Sequence, residues 1–163
     1  MTETLLRDLH QPEYLHVLLN PLPIYGLAAG LLALFVALLL RSPQARIAGF
    51  IVIIVCSASA WPVHELGEQA YDPVLSLSDD QGQAWLKEHK ARAEKLIVLF
   101  YVIAATAIAG LVASWKSDKL SFIAAILVLV LGLTTLAAGG YIAYAGGRIR
   151  HREFRTGATL LPP

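Results

Sequence analysis

The chain has 163 residues, of which 56% are hydrophobic and only 15% are charged, whereas soluble domains carry about 25% charged residues. Because the net charge is only +1, the composition does not favour nucleic acid as a partner. The single cysteine, Cys56, excludes an intrachain disulfide. These properties argue against a soluble domain and indicate a protein whose main partner is the lipid bilayer.

The N-terminal region, residues 1–19, mixes apolar with acidic residues and predicts a short amphipathic segment at the membrane interface. Asn20 followed by Pro21 is typical of a helix N-cap with proline at the first helical position. No acidic or basic residue then occurs before Arg41. A first membrane span is therefore expected over about residues 20–41.

Three further stretches without acidic or basic residues follow along the chain, and each is the centre of a predicted span. A bilayer core about 30 Å thick requires roughly 20 apolar helical residues, which the second of the four stretches reaches least easily. Four such stretches in one chain would leave a soluble protein almost no polar surface. The three predicted spans cover about residues 46–66, 90–115 and 119–147.

Two connections between spans, residues 41–46 and 115–119, are short, so the helices that they join are expected to be antiparallel neighbours. The remaining connection is predicted as a polar loop over residues 72–82, in which Ser78, Asp79 and Asp80 are candidate caps for the next helix. The sequence thus predicts an all-α membrane protein, a four-helix transmembrane bundle with up-down-up-down topology. The predicted regions are the interfacial segment 1–19, the transmembrane domain 20–155 and the C-terminal tail 156–163.

Basic residues are distributed unequally between the two sides of the predicted bundle. Of the 13 lysines and arginines, nine lie on the side of both termini and the polar loop, and four lie on the side of the short turns. Since basic residues are enriched in cytoplasmic loops, this distribution predicts cytoplasmic termini. The arginine-rich residues 148–155 are expected to contact lipid headgroups.

All five histidines fall on the side of the termini, together with several glutamates. His64 and Glu68 share a helical face, and a rise of about 1.5 Å per residue places His89 nearer the level of Glu68 than that of His64. His16 precedes the first span and His151 follows the last, so either could fold over the same end. Imidazole and carboxylate are usual ligands of zinc and iron. The candidate metal ligands are His89, His64, Glu68, His16 and His151.

A haem held by two histidines is the other cofactor that this end of the bundle could bind. No histidine is expected at the level of His64 on another span, which leaves an interfacial b-type haem between His89 and His16 or His151. Glycines at seven-residue spacing give the fourth helix a smooth face, which suits a flat macrocycle or, more commonly, a neighbouring helix. Two arginines after that face could contact haem propionates. The candidate cofactor contacts are Arg148, Arg150, Gly139 and Gly146.

Two motifs near the ends of the chain resemble a group of bacterial four-helix membrane proteins of undetermined activity. In that group a histidine precedes helix one, as in residues 16–24, and a Gly-Gly-x-Ile-Arg-His-x-Glu ending follows helix four. The matching residues of the ending are Gly146, Gly147, Ile149, Arg150, His151 and Glu153. His89, at the head of helix three, also has a counterpart there. The resemblance implies a bacterial inner-membrane protein of undetermined activity, from a group sometimes suspected of haem or metal binding, and it indicates no substrate.

Two functions from different classes are consistent with these observations. The first is a small membrane subunit that holds a metal ion or an interfacial b-type haem at one end of the bundle, for electron transfer or metal handling. The alternative is a non-catalytic scaffold or assembly subunit of a larger membrane complex, whose histidines contact headgroups or water. Either function implies other membrane or redox subunits as partners. No sequence motif indicates a reaction, so the chain is not expected to be an enzyme by itself.

Overall fold

The computed structural model of the protein describes residues 6–155. Four helical rods, Pro12–Leu39, Pro43–Ser76, Asp80–Lys116 and Asp118–Arg150, are each long and apolar enough to cross a membrane. They pack as an antiparallel bundle, so the predicted all-α four-helix architecture of a multi-pass membrane protein is confirmed. The helices are α1 (Pro12–Leu19), α2 (Leu27–Leu39), α3 (Pro43–Ala58), α4 (Ala60–Ser76), α5 (Asp80–Lys116) and α6 (Asp118–Arg150).

The first rod differs from the prediction at its N-terminal end. Asn20 has helical dihedral angles (φ −54°, ψ −33°) and is not an N-cap. Pro21 and Pro23 lack an N–H, which would leave carbonyls one turn earlier without a partner. The chain widens into a π-helical turn at Leu22–Gly26, and this turn lets α1 continue into α2. Residues from Pro12 onward therefore belong to the first rod, and α1 packs along α4.

The second rod is interrupted between α3 and α4. Pro62 cannot donate a hydrogen bond to the carbonyl of Ala58, and its ring crowds that carbonyl, so the helix breaks at Ser59. The rod then continues through Pro73 to Ser76. The prediction of a polar loop over residues 72–82 was therefore wrong for its first part, which is helical.

Serine hydroxyls complete the last turn of α4. The Ser76 hydroxyl donates to the Pro73 carbonyl at 2.8 Å, and the Ser78 hydroxyl donates to the Val74 carbonyl at 2.7 Å. These bonds satisfy carbonyls that have no helical partner at the C-terminus, so the helix can end late. The connection to α5 is correspondingly short.

The hydrophobic core lies where α2, α3, α5 and α6 meet. Leu27, Leu34, Phe50 and Ile53 are fully buried there. Burial of such apolar side chains among themselves gives close packing without polar groups that need a partner. At the end of the bundle that carries the termini, the helices are packed less closely than in this core.

Asp79 and Arg155 join the start of α5 to the end of α6. Asp79 caps α5, since its Oδ1 accepts a hydrogen bond from the backbone N–H of Gly82 at 2.7 Å. Arg155 is 7% exposed, and its Nη1 lies 2.8 and 2.9 Å from the two Asp79 oxygens. It also donates to the carbonyls of Arg148 and Ile149, at 2.8 and 2.6 Å, which closes the C-terminus of α6. Arg155 therefore contacts the protein rather than lipid headgroups.

This connection predicts an acid-sensitive component of stability. The N–H of Gly82, and then the guanidinium groups of Arg155 and Arg152, hold the pKa of the Asp79 carboxyl below its ordinary value. The stability that the carboxylate contributes is present above the ordinary aspartate pKa and is lost as the pH falls through the lowered pKa. We expect the melting temperature of the native protein in detergent to decrease when the pH is lowered below about 4.

The matched variant is Asp79→Asn, which keeps a capping oxygen but has no charge to lose. It should melt at a lower temperature than the native protein at neutral pH, and the difference should narrow in acid. An equal acid-induced shift in both proteins would assign the effect to other carboxylates.

Candidate functional site

A cavity of about 540 Å³ lies inside the bundle at the end that carries the termini. Residues of α1 and α4 line one side and residues of α5 and α6 line the other, because α1 packs on α4 while α5 packs on α6. Apolar side chains, among them Ile24, Ala60 and Phe100, form much of its wall. Cavities of about 300–1,000 Å³ with mainly apolar walls and a few polar groups are typical of ligand and cofactor sites.

His16 lines this cavity from α1 and is anchored on α4. Its Nδ1 donates a hydrogen bond to the backbone carbonyl of Val63, at 2.9 Å. The ring edge that carries Nδ1 and Cε1 lies against Gly67, where a Cβ atom would be 2.9 Å from Cε1 and 3.0 Å from Nδ1. Because Gly67 is about one turn after Val63, a single stretch of α4 provides both the acceptor and the space for the ring.

His89 lines the cavity from α5 and is anchored on α6 in the same manner. Its Nδ1 donates to the backbone carbonyl of Ile142, at 3.0 Å. A Cβ atom at Gly146, about one turn later, would lie 3.1 Å from both Nδ1 and Cε1 of His89. The two sides of the site thus repeat one arrangement: a histidine of one helix bonds a carbonyl of its neighbour and packs against a glycine four residues further on.

The two imidazole rings face each other across the boundary between the helix pairs. The centroids of His16 and His89 are 6.3 Å apart, and the ring planes are nearly perpendicular, at 86°. A carbonyl oxygen can only accept a hydrogen bond, so Nδ1 carries the proton in each neutral ring and Nε2 carries the lone pair. Within residues 6–155, the hydrogen bonds of both rings are made through Nδ1 alone. In this tautomer the Nε2 lone pair of each ring is not used by a hydrogen bond within the described residues.

The centroids of the two rings are 6.3 Å apart, and the rings come from different helix pairs. With metal–imidazole bonds of about 2.0–2.1 Å, one metal centre held between the rings would be within reach of both if each Nε2 is turned toward it.

His64 and Glu68 also line the cavity, but the structure does not join them with His89 in a metal site. Glu68 forms an ion pair with Lys90 instead, and this pair links α4 to α5 at the rim of the cavity. The amine of Lys90 also lies over the ring of Tyr71, 4.8 Å from its centroid. In the described part of the chain, no three His, Cys, Asp or Glu side chains are grouped so that they could hold a metal ion.

The depth of His16 differs from the sequence-based expectation. Because α1 is continuous with the first span and runs beside α4, the His16 ring reaches the carbonyl of Val63, the residue next to His64. The expectation that no histidine of another span lies at the level of His64 was therefore wrong. Two histidines from different rods meet in the cavity, and they are His16 and His89.

The predicted site residues near the C-terminus form two groups, those that line the cavity and those that do not. Arg150, Gly139 and Gly146 line the cavity, whereas Arg148 and His151 are absent from its lining. The guanidinium of Arg148 stacks on Tyr144, 3.6 Å from the ring centroid, on the outer side of the α5–α6 pair. His151 is 57% exposed, and its Nδ1 lies 2.8 Å from Oε1 of Glu153.

Sequence reasoning missed Gly67 and Lys90. Gly67 carries a usable signal, since glycine inside a helix costs about 1 kcal/mol relative to alanine and therefore often marks a close approach. Lys90 carries none, because its pairing with Glu68 depends on how α4 and α5 are placed.

No protein-family model matches the chain, and comparisons with curated proteins and with solved structures likewise give no significant match. The likeness of the two end motifs to bacterial four-helix membrane proteins therefore stays a resemblance.

Proposed function

We propose that this protein is a small membrane subunit that binds one b-type haem between His16 and His89 and takes part in electron transfer. The observation that carries the proposal is the pair of anchored imidazoles, with ring centroids 6.3 Å apart in a mainly apolar cavity. A hydrogen bond from Nδ1 to a carbonyl is the usual way in which a metal-binding histidine is held in one tautomer.

The cavity has properties that suit a flat, largely apolar macrocycle. Its volume of about 540 Å³ lies in the range of cofactor sites, and its walls are mainly aliphatic and aromatic. Gly139 forms part of the wall, and a Cβ atom there would be 3.2 Å from Cζ of Phe100. A larger residue would press on Phe100 and also on Ile24, whose Cγ1 would be 3.3 Å from such a Cβ, so Gly139 lets these two wall residues pack against α6.

The proposal gives a distinct role to each of three residues. His16 and His89 would hold the haem iron, and Arg150, which also lines the cavity, would contact a propionate. The haem would supply one-electron redox chemistry there. With both histidines committed to the iron, electron transfer would fit better than oxygen chemistry.

A haem explains the site better than an isolated metal ion does. An ion such as zinc needs three or four protein ligands, and the described residues offer no group of three around His16 and His89. A porphyrin provides four ligands of its own and requires only two from the protein.

We place the protein in the bacterial inner membrane with cytoplasmic termini, on the resemblance of its end motifs and on the nine basic residues that flank that side. The cavity would then open near the cytoplasmic surface, where other membrane or redox subunits could exchange electrons with it.

A visible spectrum of the protein, purified in detergent from cells supplied with haem precursor, tests the proposal. We expect about one haem per chain, with a reduced spectrum typical of a six-coordinate low-spin b-type centre. Metal analysis of the same sample should find iron in proportion to haem. A preparation that retains no haem and gives no optical change on titration with hemin would contradict the proposal and favour the scaffold function.

A further inference from the structure

We infer that Gly67 and Gly146 are positioning residues, which fix the His16 and His89 rings in the Nδ1-protonated form with their planes perpendicular. The inference rests on the proposed function for its significance, because the fixed rings would be the haem ligands. Its structural content can nevertheless be tested without any haem.

The two glycines are distinguished by what lies against them. At Gly67 a Cβ atom would lie 2.9 Å from Cε1 of His16, and at Gly146 it would lie 3.1 Å from both Cε1 and Nδ1 of His89. Gly140, in the same helix as Gly146, has open space where a Cβ would be. A glycine requirement at the first two positions therefore comes from the imidazoles and not from the helices themselves.

The close contact limits both translation and rotation of each ring. The Nδ1–Cε1 edge rests on the glycine while Nδ1 donates to the carbonyl four residues earlier, Val63 or Ile142. A methyl group at the glycine would push this edge away and lengthen or break the Nδ1 hydrogen bond, since such bonds weaken steeply with distance and angle. Without that bond the ring is free to take the Nε2-protonated form, which cannot bind a metal through Nε2.

Each helix pair holds its own histidine by the same contacts with a carbonyl and a glycine, and these contacts determine the angle between the two ring planes. His16 is held by α4 and His89 by α6, so the 86° between the ring planes follows from the packing of the two helix pairs. A change at one glycine should alter one ring and leave the other in place.

The first experiment uses the haem-free protein with ¹⁵N-labelled histidine in detergent, with signals assigned by single histidine substitutions. We expect His16 and His89 to show a protonated, hydrogen-bonded Nδ1 and an unprotonated Nε2 at a pH where both are neutral. Gly67→Ala should change only the His16 signals, Gly146→Ala only the His89 signals, and Gly140→Ala neither. Nε2-protonated rings in the native protein, or unchanged signals in both alanine variants, would overturn the inference.

The second experiment uses electron paramagnetic resonance of the oxidised, haem-loaded protein. Perpendicular axial imidazoles give a highly anisotropic low-spin signal, whereas parallel planes give a rhombic one. We expect the native protein and Gly140→Ala to give the anisotropic signal, and Gly67→Ala to change it and weaken haem binding about 10-fold, as for other groups that orient a metal ligand. A rhombic signal in the native protein would contradict the inference.

The two experiments separate the inference from the proposed function. Absence of haem from the native protein counts against the proposed function, while the histidine signals of the haem-free protein still decide the role of the glycines. If one alanine variant fails to fold, Nε2-protonated rings in the native protein would still overturn the inference, and the other alanine variant still tests the role of its glycine.

Discussion

His89→Ala is expected to abolish the low-spin haem spectrum and to weaken haem binding by more than about 100-fold, beyond the 10–100-fold range for groups that only orient a ligand. On the proposed function, His89 would be the ligand from the α5–α6 pair, and no other histidine of that pair is among the described residues that line the cavity. His16→Ala should have the same effect, because His16 would be the ligand from the α1–α4 pair.

These variants should remain folded. Each loses one Nδ1 hydrogen bond, a change of about 1 kcal/mol, and the fully buried core of α2, α3, α5 and α6 is not touched. Equal helix content and equal elution volume in detergent should confirm this. Added imidazole should restore part of the low-spin spectrum to His89→Gly, since a free ligand can occupy the vacated space.

Other histidines provide matched controls. His10→Ala and His151→Ala alter exposed rings outside the cavity lining and should bind haem like the native protein. His64→Ala alters a ring that lines the cavity, and it should retain a six-coordinate centre, since His16 and His89 remain. Loss of the low-spin spectrum in His64→Ala, with retention in His16→Ala, would assign the ligand on this side of the cavity to His64 instead.

Asp118→Ala is expected to destabilise the protein by about 2 kcal/mol, between the values for exposed and buried pairs, through a buried cation at the other end of the bundle. Arg46 is 1% exposed, and its guanidinium forms an ion pair with Asp118 and a hydrogen bond of 3.3 Å with the Ser121 hydroxyl. Removing the carboxylate leaves a buried charge with only a neutral partner. Breaking a fully buried pair typically costs about 3–5 kcal/mol, and the expected cost here is smaller because Asp118 is 71% exposed and solvent screens the pair.

Arg46→Met should cost much less than Asp118→Ala. Asp118 can then be hydrated, and the Ser121 hydroxyl keeps its partner Ser114, at 2.9 Å. A methionine of similar length can fill the apolar part of the space. The free energy of unfolding in mixed micelles, measured for both single variants and the double variant, tests the asymmetry.

The double variant isolates the cost of the unpaired cation. In the Arg46→Met background, Asp118→Ala should cost only about 0.3–1 kcal/mol, the value of an acidic residue in the first turn of a helix. Equal costs of Asp118→Ala in both backgrounds would show that the pair contributes nothing, and that the arginine is stabilised by other contacts.

The sequence alone determined the number of spans, their order and the end of the bundle at which the histidines lie. These features depend on local properties, namely long runs without charge, short turns and the side of the membrane on which each polar segment falls. One helix cap was also predicted from the sequence, since Asp79 was one of three candidate caps and does cap α5.

Only the tertiary structure decided which polar groups meet. The π-helical turn at Leu22–Gly26 and the break at Ser59 rotate and shift the helices that follow them, and such displacements add up along a rod. Sequence spacing measured along ideal helices therefore paired His89 with Glu68, whereas the folded chain brings His89 to His16 and Glu68 to Lys90. The physical reason is that contacts between rods depend on axial rotation and depth, which packing of the whole bundle sets and no single segment encodes.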